Sequence, residues 1–380
     1  MIGDKIAVLD LGSYKIKLLL ISLDKNNYID IHAKSSIFSS GIKKGNVVDI
    51  DKLSLAIKSC IKSIEKELKI EIKEVYVGIN SINFNFSTFG VSRDIGSYEI
   101  EEKKDLQNLI NLASGIFYNH NSNKKIIHFL NSGFYLDKIN NVENPIGLRS
   151  NSLDINFSFL SLDKNLILNY EKAINSSGLK VKRYFYSPFA SSILSSDQET
   201  LEKGFINIDF GFDKTSITFF ENSKLLFSKI IPIGSFHINN DLIKAIDIDK
   251  KILSEINKRK ISPDMIIKII DARVDEIIDY IYETILFCKS LNKSARKIII
   301  TGGGSDLKVL STKLSNKTKT PIDYAKQSFP IKDTEFNVFS DYMVCLGIAK
   351  LIYFPNKDEI KGFVENKMSF FEKFYSLFLK

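Results

Sequence analysis

The sequence predicts an α/β fold of two lobes that repeat one strand-turn-strand unit. Near the N-terminus, KIAVLDLGSYKIKLLLISL has two β-rich runs separated by a glycine turn, and FINIDFGFDKTSITFF, from Phe205, has the same order. Each unit has an aspartate two positions before a glycine, with Asp10 before Gly12 and Asp209 before Gly211. A chain of 380 residues is also too long for one simple core, which favours two lobes.

The segments around the two repeats predict helices, strands and one insertion. Residues 51–68 have apolar side chains at helical spacing, and a buried strand follows from Val75. Short alternating strands and one helix between residues 81 and 160 indicate a compact inserted module. After the second repeat come helices at 241–258 and 265–291, a strand that runs into the glycines of TGGGSDLKVL, and a last apolar helix, YMVCLGIAKLIYF.

Composition excludes several classes of protein. The hydrophobic and charged fractions, 44% and 26%, are those of a soluble globular protein. The net charge is +8, but the lysines are spread along the chain without a basic stripe, so we expect no nucleic-acid partner. The three cysteines are far apart in apolar runs, which indicates buried thiols in a reducing compartment. Without a signal peptide or a span-length apolar run, the sequence predicts a cytoplasmic protein.

The two Asp-x-Gly hairpins have the properties of a nucleotide phosphate clamp. Glycine lets backbone N–H groups approach phosphate oxygens, and Ser13 adds a hydroxyl donor. Asp10 and Asp209 would hold the water shell of a Mg²⁺ ion, while Lys15 offsets phosphate charge. The third glycine loop, at 302–304, allows an adenosine and its α-phosphate to approach a helix N-terminus.

Each hairpin alone has a simpler interpretation. Aspartate and glycine are common in ordinary turns, where the aspartate caps the turn and binds nothing. The duplication of the pattern favours a magnesium role for both aspartates.

These loops, in this order, resemble the actin/Hsp70/sugar-kinase ATPase superfamily and, within it, the FtsA family of cell-division proteins. Further similar segments are GIKKGNVVDIDKL from Gly41, NPIGLRS from Asn144, IIDARVDEI from Ile269 and YMVCLGIAKL from Tyr342. The resemblance covers essentially the whole chain. It implies an actin-like two-lobed ATPase fold of duplicated ribonuclease-H-like domains, with an inserted 1C-type subdomain and a C-terminal amphipathic helix.

The resemblance also implies a domain map and a site with ATP and Mg²⁺. The implied domains are subdomain 1A at 1–80 and 161–195, inserted subdomain 1C at 81–160, subdomain 2A at 196–236 and 293–354, subdomain 2B at 237–292, a linker at 355–366 and a membrane-targeting helix at 367–380. The implied nucleotide contacts are Gly12, Ser13, Tyr14, Lys15, Gly211, Phe212, Lys214, Thr215, Glu255, Lys258, Gly302, Gly303 and Gly304. Among these, Glu255 and Lys258 would lie beside the adenine and ribose. Asp10 and Asp209 would bind Mg²⁺ through water.

The second loop departs from the family pattern D-x-G-(G/A)-G-T. The chain has DFGFDKT, with Phe212 and Asp213 in place of small residues and Lys214 where a small hydroxyl residue is usual. The phenylalanine would crowd the phosphates and Asp213 would repel them, whereas Lys214 would pair with one. We therefore expect ATP binding with slow or negligible hydrolysis.

The sequence from 367 to 380 predicts an amphipathic helix. One stripe at helical spacing contains Phe370, Phe371, Phe374, Leu377 and Phe378. In a generic protein such a helix would dock on its own core. Here the ATPase fold is complete before a polar linker, which favours a helix lying in the membrane interface.

The resemblance implies a protein that polymerises at the inner face of the membrane, anchors the tubulin-like protein FtsZ there, and recruits later division proteins through subdomain 1C. ATP would bridge the lobes and favour the closed state. A PilM-like scaffold of pilus assembly is the alternative within the superfamily, and a sugar or carboxylate kinase is an alternative of another class. An Hsp70-type chaperone is not expected, because the sequence has no room for a peptide-binding domain.

Overall fold

The computed structural model describes residues 5–255, 263–290, 295–304, 308–326, 329–332 and 336–354. Up to residue 195 the elements are β1 (Ile6–Leu11), β2 (Lys15–Leu23), β3 (Ile29–Phe38), β4 (Ile42–Lys43), β5 (Asn46–Val47), α1 (Ile50–Leu68), β6 (Glu74–Ile79), β7 (Asn85–Asp94), a π-helical turn (Glu102–Leu106), α2 (Gln107–His120), β8 (Lys124–Leu136), β9 (Asn140–Val142), β10 (Ser152–Asp163), α3 (Lys164–Ser176), β11 (Lys180–Tyr186) and α4 (Ser187–Ser195). The later elements are α5 (Gln198–Lys203), β12 (Phe205–Phe210), β13 (Thr215–Glu221), β14 (Lys224–Ile231), α6 (Ser235–Glu255), α7 (Pro263–Ser290), β15 (Lys297–Thr301), α8 (Lys308–Thr318), β16 (Ile322–Tyr324), α9 (Phe336–Asp341) and α10 (Met343–Tyr353).

Two five-stranded sheets have the same topology, which confirms the repeat predicted from the sequence. The first has the order β11-β6-β1-β2-β3 and the second β16-β15-β12-β13-β14. In each sheet an antiparallel meander of three strands comes first. The next strand pairs in parallel with the first strand of the meander, and the last strand pairs in parallel with that one. The parallel pairing places the turns after β1 and β12 at the carboxyl ends of the strands, where α/β sheets commonly bind ligands.

Helices cover the outer face of each sheet. Helix α1 begins at its N-cap Asp49, whose carboxylate accepts a hydrogen bond from the backbone N–H of Lys52 at 3.0 Å. Its apolar face packs with α3 on the first sheet, while α7 and α8 supply apolar residues to the core of the second sheet. Burial of these faces stabilises each lobe through the hydrophobic effect.

The segment between β6 and α3 forms a separate sheet of order β7-β10-β8-β9. Helix α2 packs on this sheet, and the two share a core rich in phenylalanine, including Phe117, Phe157 and Phe159. A module with its own core was predicted here from the alternating pattern. Its identity as a 1C-type subdomain, and the domain boundaries given above, stay predictions.

Helices α4 and α10 lie between the two large sheets and cross at very short distance. Gly347 of α10 faces the backbone of Ala190 in α4, and a Cβ atom at Gly347 would lie 2.6 Å from the Ala190 carbonyl carbon. The surrounding core contains Val8 and Leu19 of the first sheet and Phe205 of the second. None of the helices in the described part of the chain is long and apolar enough to cross a membrane.

We predict that Gly347→Ala destabilises the protein by about 1–3 kcal/mol, because a methyl group there forces the two helix backbones apart. Equilibrium urea unfolding of the variant measures the loss. Gly115→Ala in α2 is the matched control, since a Cβ atom at Gly115 meets nothing within 4 Å. Alanine improves helix propensity, so the control should be as stable as the parent or more so. Equal stability of both variants would show that the close helix crossing is not a constraint.

Candidate functional site

A cleft of about 510 Å³ lies between the two large sheets. The β1–β2 turn and the β12–β13 turn face each other across it, and the 302–304 loop and the start of α10 complete its wall. Its volume is within the usual range of small-molecule sites, about 300–1,000 Å³. The predicted residues that line it are Asp10, Gly12, Ser13, Tyr14, Lys15, Asp209, Gly211, Phe212, Lys214, Gly302, Gly303 and Gly304.

Two carboxylates lie at the base of the cleft. The pKa of Asp10 is raised to about 6, chiefly because burial desolvates the carboxylate; Lys17 and Lys214 oppose the rise and the charge of Asp209 adds to it. Burial also raises the pKa of Asp209, and the charges of Lys214 and Lys17 lower it. Two carboxylates that resist ionisation beside each other form a site at which an added cation is stabilising.

The 302–304 loop approaches the second carboxylate closely. Gly302 has φ +93°, and a Cβ atom there would lie 2.5 Å from an Asp209 carboxylate oxygen, so only glycine fits this position. A Cβ atom at Gly303 would meet nothing within 4 Å. The space beside Gly303 is therefore open to a ligand.

The second turn crosses the cleft and contacts the first lobe through two buried side chains. Lys214 Nζ donates to Ser13 Oγ at 2.9 Å and pairs with Asp213 Oδ1 at 3.2 Å. Asp213 Oδ2 accepts a hydrogen bond of 2.5 Å from the backbone N–H of Lys44, in the β4–β5 turn. Asp213 and Lys214 are only 7% and 6% exposed, so these contacts are shielded from water.

Four aromatic rings form a row that we call the aromatic ladder, and its two inner rings, Tyr14 and Phe212, line the cleft. Phe38 contacts Tyr14 with ring centroids 5.5 Å apart, Tyr14 stacks on Phe212 at 4.9 Å, and Phe212 contacts Phe236 at 5.2 Å. Phe38 and Tyr14 belong to the first lobe, and Phe212 and Phe236 to the second. Lys15 Nζ lies 5.9 Å from the ring centroids of both Tyr14 and Phe38, within cation–π distance.

Other predicted residues lie apart from this cleft or outside the described residues. Thr215 is buried, and its hydroxyl donates to the Ile233 carbonyl at 2.7 Å, so it supports the β13 end of the turn. The side chain of Glu255, the whole of Lys258 and the segment 355–380 lie outside the described residues. Their assigned roles stay predictions.

Asn80 is a cleft residue that the sequence analysis missed. Its Nδ2 donates to Ser216 Oγ of the second lobe at 2.9 Å, which adds a further bond between the lobes. Its Oδ1 is buried and accepts no hydrogen bond from the described part of the chain, so it is available to a ligand or water. A polar residue directly after the buried strand EVYVGI was the signal that could have identified it.

The inner cleft fits an adenine nucleotide with Mg²⁺, the group implied by the family resemblance. The carboxylate pair suits a hydrated divalent cation, Gly303 leaves backbone exposed, and Asn80 offers an unpaired acceptor. The gap between the β1–β2 and β12–β13 turns leaves less room for the phosphates of such a nucleotide. Lys214 and Phe212 already cross it and contact the first lobe directly.

Comparison with known proteins gives relatives over nearly the whole chain. No protein-family model matches the chain. It is similar to the cell division protein FtsA of Agrobacterium fabrum, with 21% identity over 80% of this chain and 76% of the relative. FtsA of Buchnera aphidicola subsp. Schizaphis graminum is 24% identical over 97% of this chain and 94% of its own length. A solved structure, the PilM-PilN type IV pilus biogenesis complex, has a TM-score of 0.67 and 15% identity over 90% of this chain and 97% of that chain, which shows similarity of fold alone.

We predict that Asp10→Asn raises the thermal unfolding temperature of the ligand-free protein by a few degrees near pH 7.5 and changes it little at pH ~3.5. The pKa of Asp10 is raised from its ordinary value of 3.8 to about 6, so the stability from the protonated carboxyl is fully present below pH 3.8 and is lost as the pH rises through about 6. Asparagine stays neutral and avoids this loss. Differential scanning calorimetry at both pH values measures the effect.

Asp94→Asn is the matched control for this prediction, because Asp94 is exposed at the end of β7. Its unfolding temperature should follow the parent at both pH values. If Asp10→Asn shifts the unfolding temperature equally at both pH values, ionisation of buried Asp10 is not what destabilises the parent protein.

Proposed function

We propose that this chain, an actin-like relative of the FtsA cell-division proteins, links filaments of FtsZ to the inner face of the cell membrane. The observation that carries the proposal is the similarity to an FtsA protein over 97% of this chain and 94% of that relative. The similarity includes the regions of both lobes and of the inserted sheet. A membrane link of this kind needs binding surfaces and self-assembly, and it does not need turnover of a substrate.

In this proposal the cleft binds an adenine nucleotide and Mg²⁺. Asp10 and Asp209 hold the ion through water, and the glycine loops contact the phosphates. Hydrolysis is slow or negligible. In support of this, both carboxylate oxygens of Asp213 already accept hydrogen bonds, from Lys44 N and from Lys214, so this acid is not free to orient an attacking water.

The proposed partners of the folded part are other copies of the chain, in a filament, and later division proteins. Filaments require head-to-tail contacts between unlike faces. The module of β7–β10 and α2 is the proposed docking site for the later proteins. It has exposed apolar side chains suited to such contacts, including Ile139, Ile146 and Leu148.

The proposed membrane anchor is the stripe of Phe370, Phe371, Phe374, Leu377 and Phe378, which lies outside the described residues. Its support is the helical spacing of the apolar side chains in the sequence. Burial of a phenylalanine stabilises by roughly 1.5–3 kcal/mol, and interfacial insertion buries only part of each ring. One tail therefore binds weakly, and a filament with many tails binds firmly through effective concentration.

A scaffold of pilus assembly is the second candidate, because the fold is similar to that of the PilM-PilN complex with a TM-score of 0.67. That similarity carries no function at 15% identity. A direct test of FtsZ recruitment separates the two candidates.

The test is co-sedimentation of purified FtsZ with vesicles of phosphatidylglycerol and phosphatidylethanolamine. We expect FtsZ to pellet with the vesicles when the full chain is present and to stay in the supernatant when it is omitted. Binding of the chain to vesicles without FtsZ recruitment would overturn the proposed link.

The double variant Phe371→Glu with Phe374→Glu is expected to lose most vesicle binding while it keeps nucleotide binding, because two charges then lie on the apolar stripe. Vesicle flotation measures membrane binding, and titration with a fluorescent nucleotide measures the nucleotide affinity of the cleft. Ser369→Glu with Ser376→Glu is the matched control, since it adds the same charge on the opposite side of the helical wheel. Comparable loss of vesicle binding in both variants would indicate charge repulsion and contradict the predicted stripe.

A further inference from the structure

We propose that the cleft binds a nucleoside diphosphate in preference to a nucleoside triphosphate, because Lys214 and Phe212 occupy the gap in which a third phosphate would join the two turns. The inference rests on the proposed function in one respect, that the cleft binds a nucleotide. It concerns the class of ligand and the residues that determine it.

The first step of the argument is the polar bridge between the turns. Ser13 Oγ accepts hydrogen bonds from Lys214 Nζ at 2.9 Å and from the backbone N–H of Gly45 at 3.2 Å. These two bonds fill both acceptor sites of the hydroxyl oxygen and hold Ser13 in direct contact with Lys214. A phosphate in contact with both turns would need oxygens about 3 Å from donors on each side. The direct bond between Lys214 and Ser13 leaves no such gap.

The second step is charge. The carboxylate of Asp213 is buried next to the gap, 3.2 Å from Lys214 Nζ, and would repel a further phosphate with little screening by water. The ammonium of Lys214 also lowers the pKa of Asp10 and of Asp209. If Lys214 turned to pair with a phosphate, these three carboxylates would lose part of their compensating charge.

The third step is the aromatic ladder. Phe212 stacks on Tyr14 with an interplanar angle of 29° and also contacts Phe236. To open the gap, the ligand must separate Tyr14 from Phe212 as well as Lys214 from Ser13. A triphosphate would therefore bind only at the cost of contacts that a diphosphate leaves intact.

The remaining space lies at the base of the cleft. Asp10, Asp209 and the 302–304 loop border this space, and it belongs to the same cavity of about 510 Å³. These groups suit a nucleoside with its first two phosphates and a hydrated cation. A diphosphate can contact these groups without separating Lys214 from Ser13 or Phe212 from Tyr14.

Isothermal titration calorimetry of the full chain with ADP and with AMPPNP, each with Mg²⁺, tests the proposal. We expect ADP to bind tighter by about tenfold or more. Equal affinities, or tighter binding of AMPPNP, would overturn the preference and leave the division role intact. If neither nucleotide binds, this inference fails together with the proposed cofactor, and the FtsZ co-sedimentation result still decides the division role.

The triple variant Phe212→Gly, Asp213→Gly, Lys214→Thr removes the bridge and the ring. It should raise the affinity for AMPPNP by about tenfold while that for ADP changes by less than about threefold. Lys229→Thr is the control for loss of a lysine away from the cleft, because Lys229 is exposed on β14, and it should keep the parent's ratio. Where the triple variant does not fold, Phe212→Ala tests the ladder alone, with a smaller shift in the same direction. An unchanged ratio in the folded variant would overturn the assignment.

Discussion

The backbone contact between α4 and α10 determines where the rest of the cleft lies. Helix α10 packs against β1, β2 and β6 of the first sheet, while α4 packs against β12, β13 and β15 of the second. Because Gly347 lets the two helices approach at Ala190, the sheets come close enough for the β1–β2 and β12–β13 turns to touch. A bulkier crossing would move one turn away from the other, and the contacts at the cleft mouth would be lost together.

This geometry forces two carboxylates into a poorly solvated place. Asp10 and Asp209 end up at the base of one cleft because each occupies the same position in its copy of the repeat, next to the turn. Lys17 and Lys214 offset their charge only in part, since burial still raises the pKa of both acids. Buried carboxylates whose charge is only partly offset are typical of a ligand site, where some local stability is lost in favour of binding.

The sequence alone predicts the parts of the fold that come from a repeated segment or from alternating apolar and polar residues. The duplicated hairpins and the inserted sheet follow from strand periods and from the Asp-x-Gly pattern, and the 302–304 loop follows from a triple glycine at the end of a buried strand. Helix α6 was predicted from residue 241 and begins at Ser235, because SFHINN has no apolar period to mark its first turn. The contact of Lys214 with Ser13 was not predictable, since it joins residues 201 positions apart and depends on a side-chain direction. The same holds for the contact of Tyr14 with Phe212 in the aromatic ladder, which forms only because the two lobes meet.

The bridged turns also bear on how such a protein would respond to its ligand. A ligand shifts a conformational equilibrium only by its difference in affinity for the two states. When Lys214, Asp213 and Phe212 already join the lobes, much of the free energy of closure comes from the chain itself, and a nucleotide adds less to it. Assembly would then depend mainly on the local concentration of the chain, which a membrane surface raises for any protein held there by weak tails. Loss of the small residues in the second loop is therefore consistent with a protein whose proposed role is attachment, because attachment requires a stable closed form and no cycle of hydrolysis.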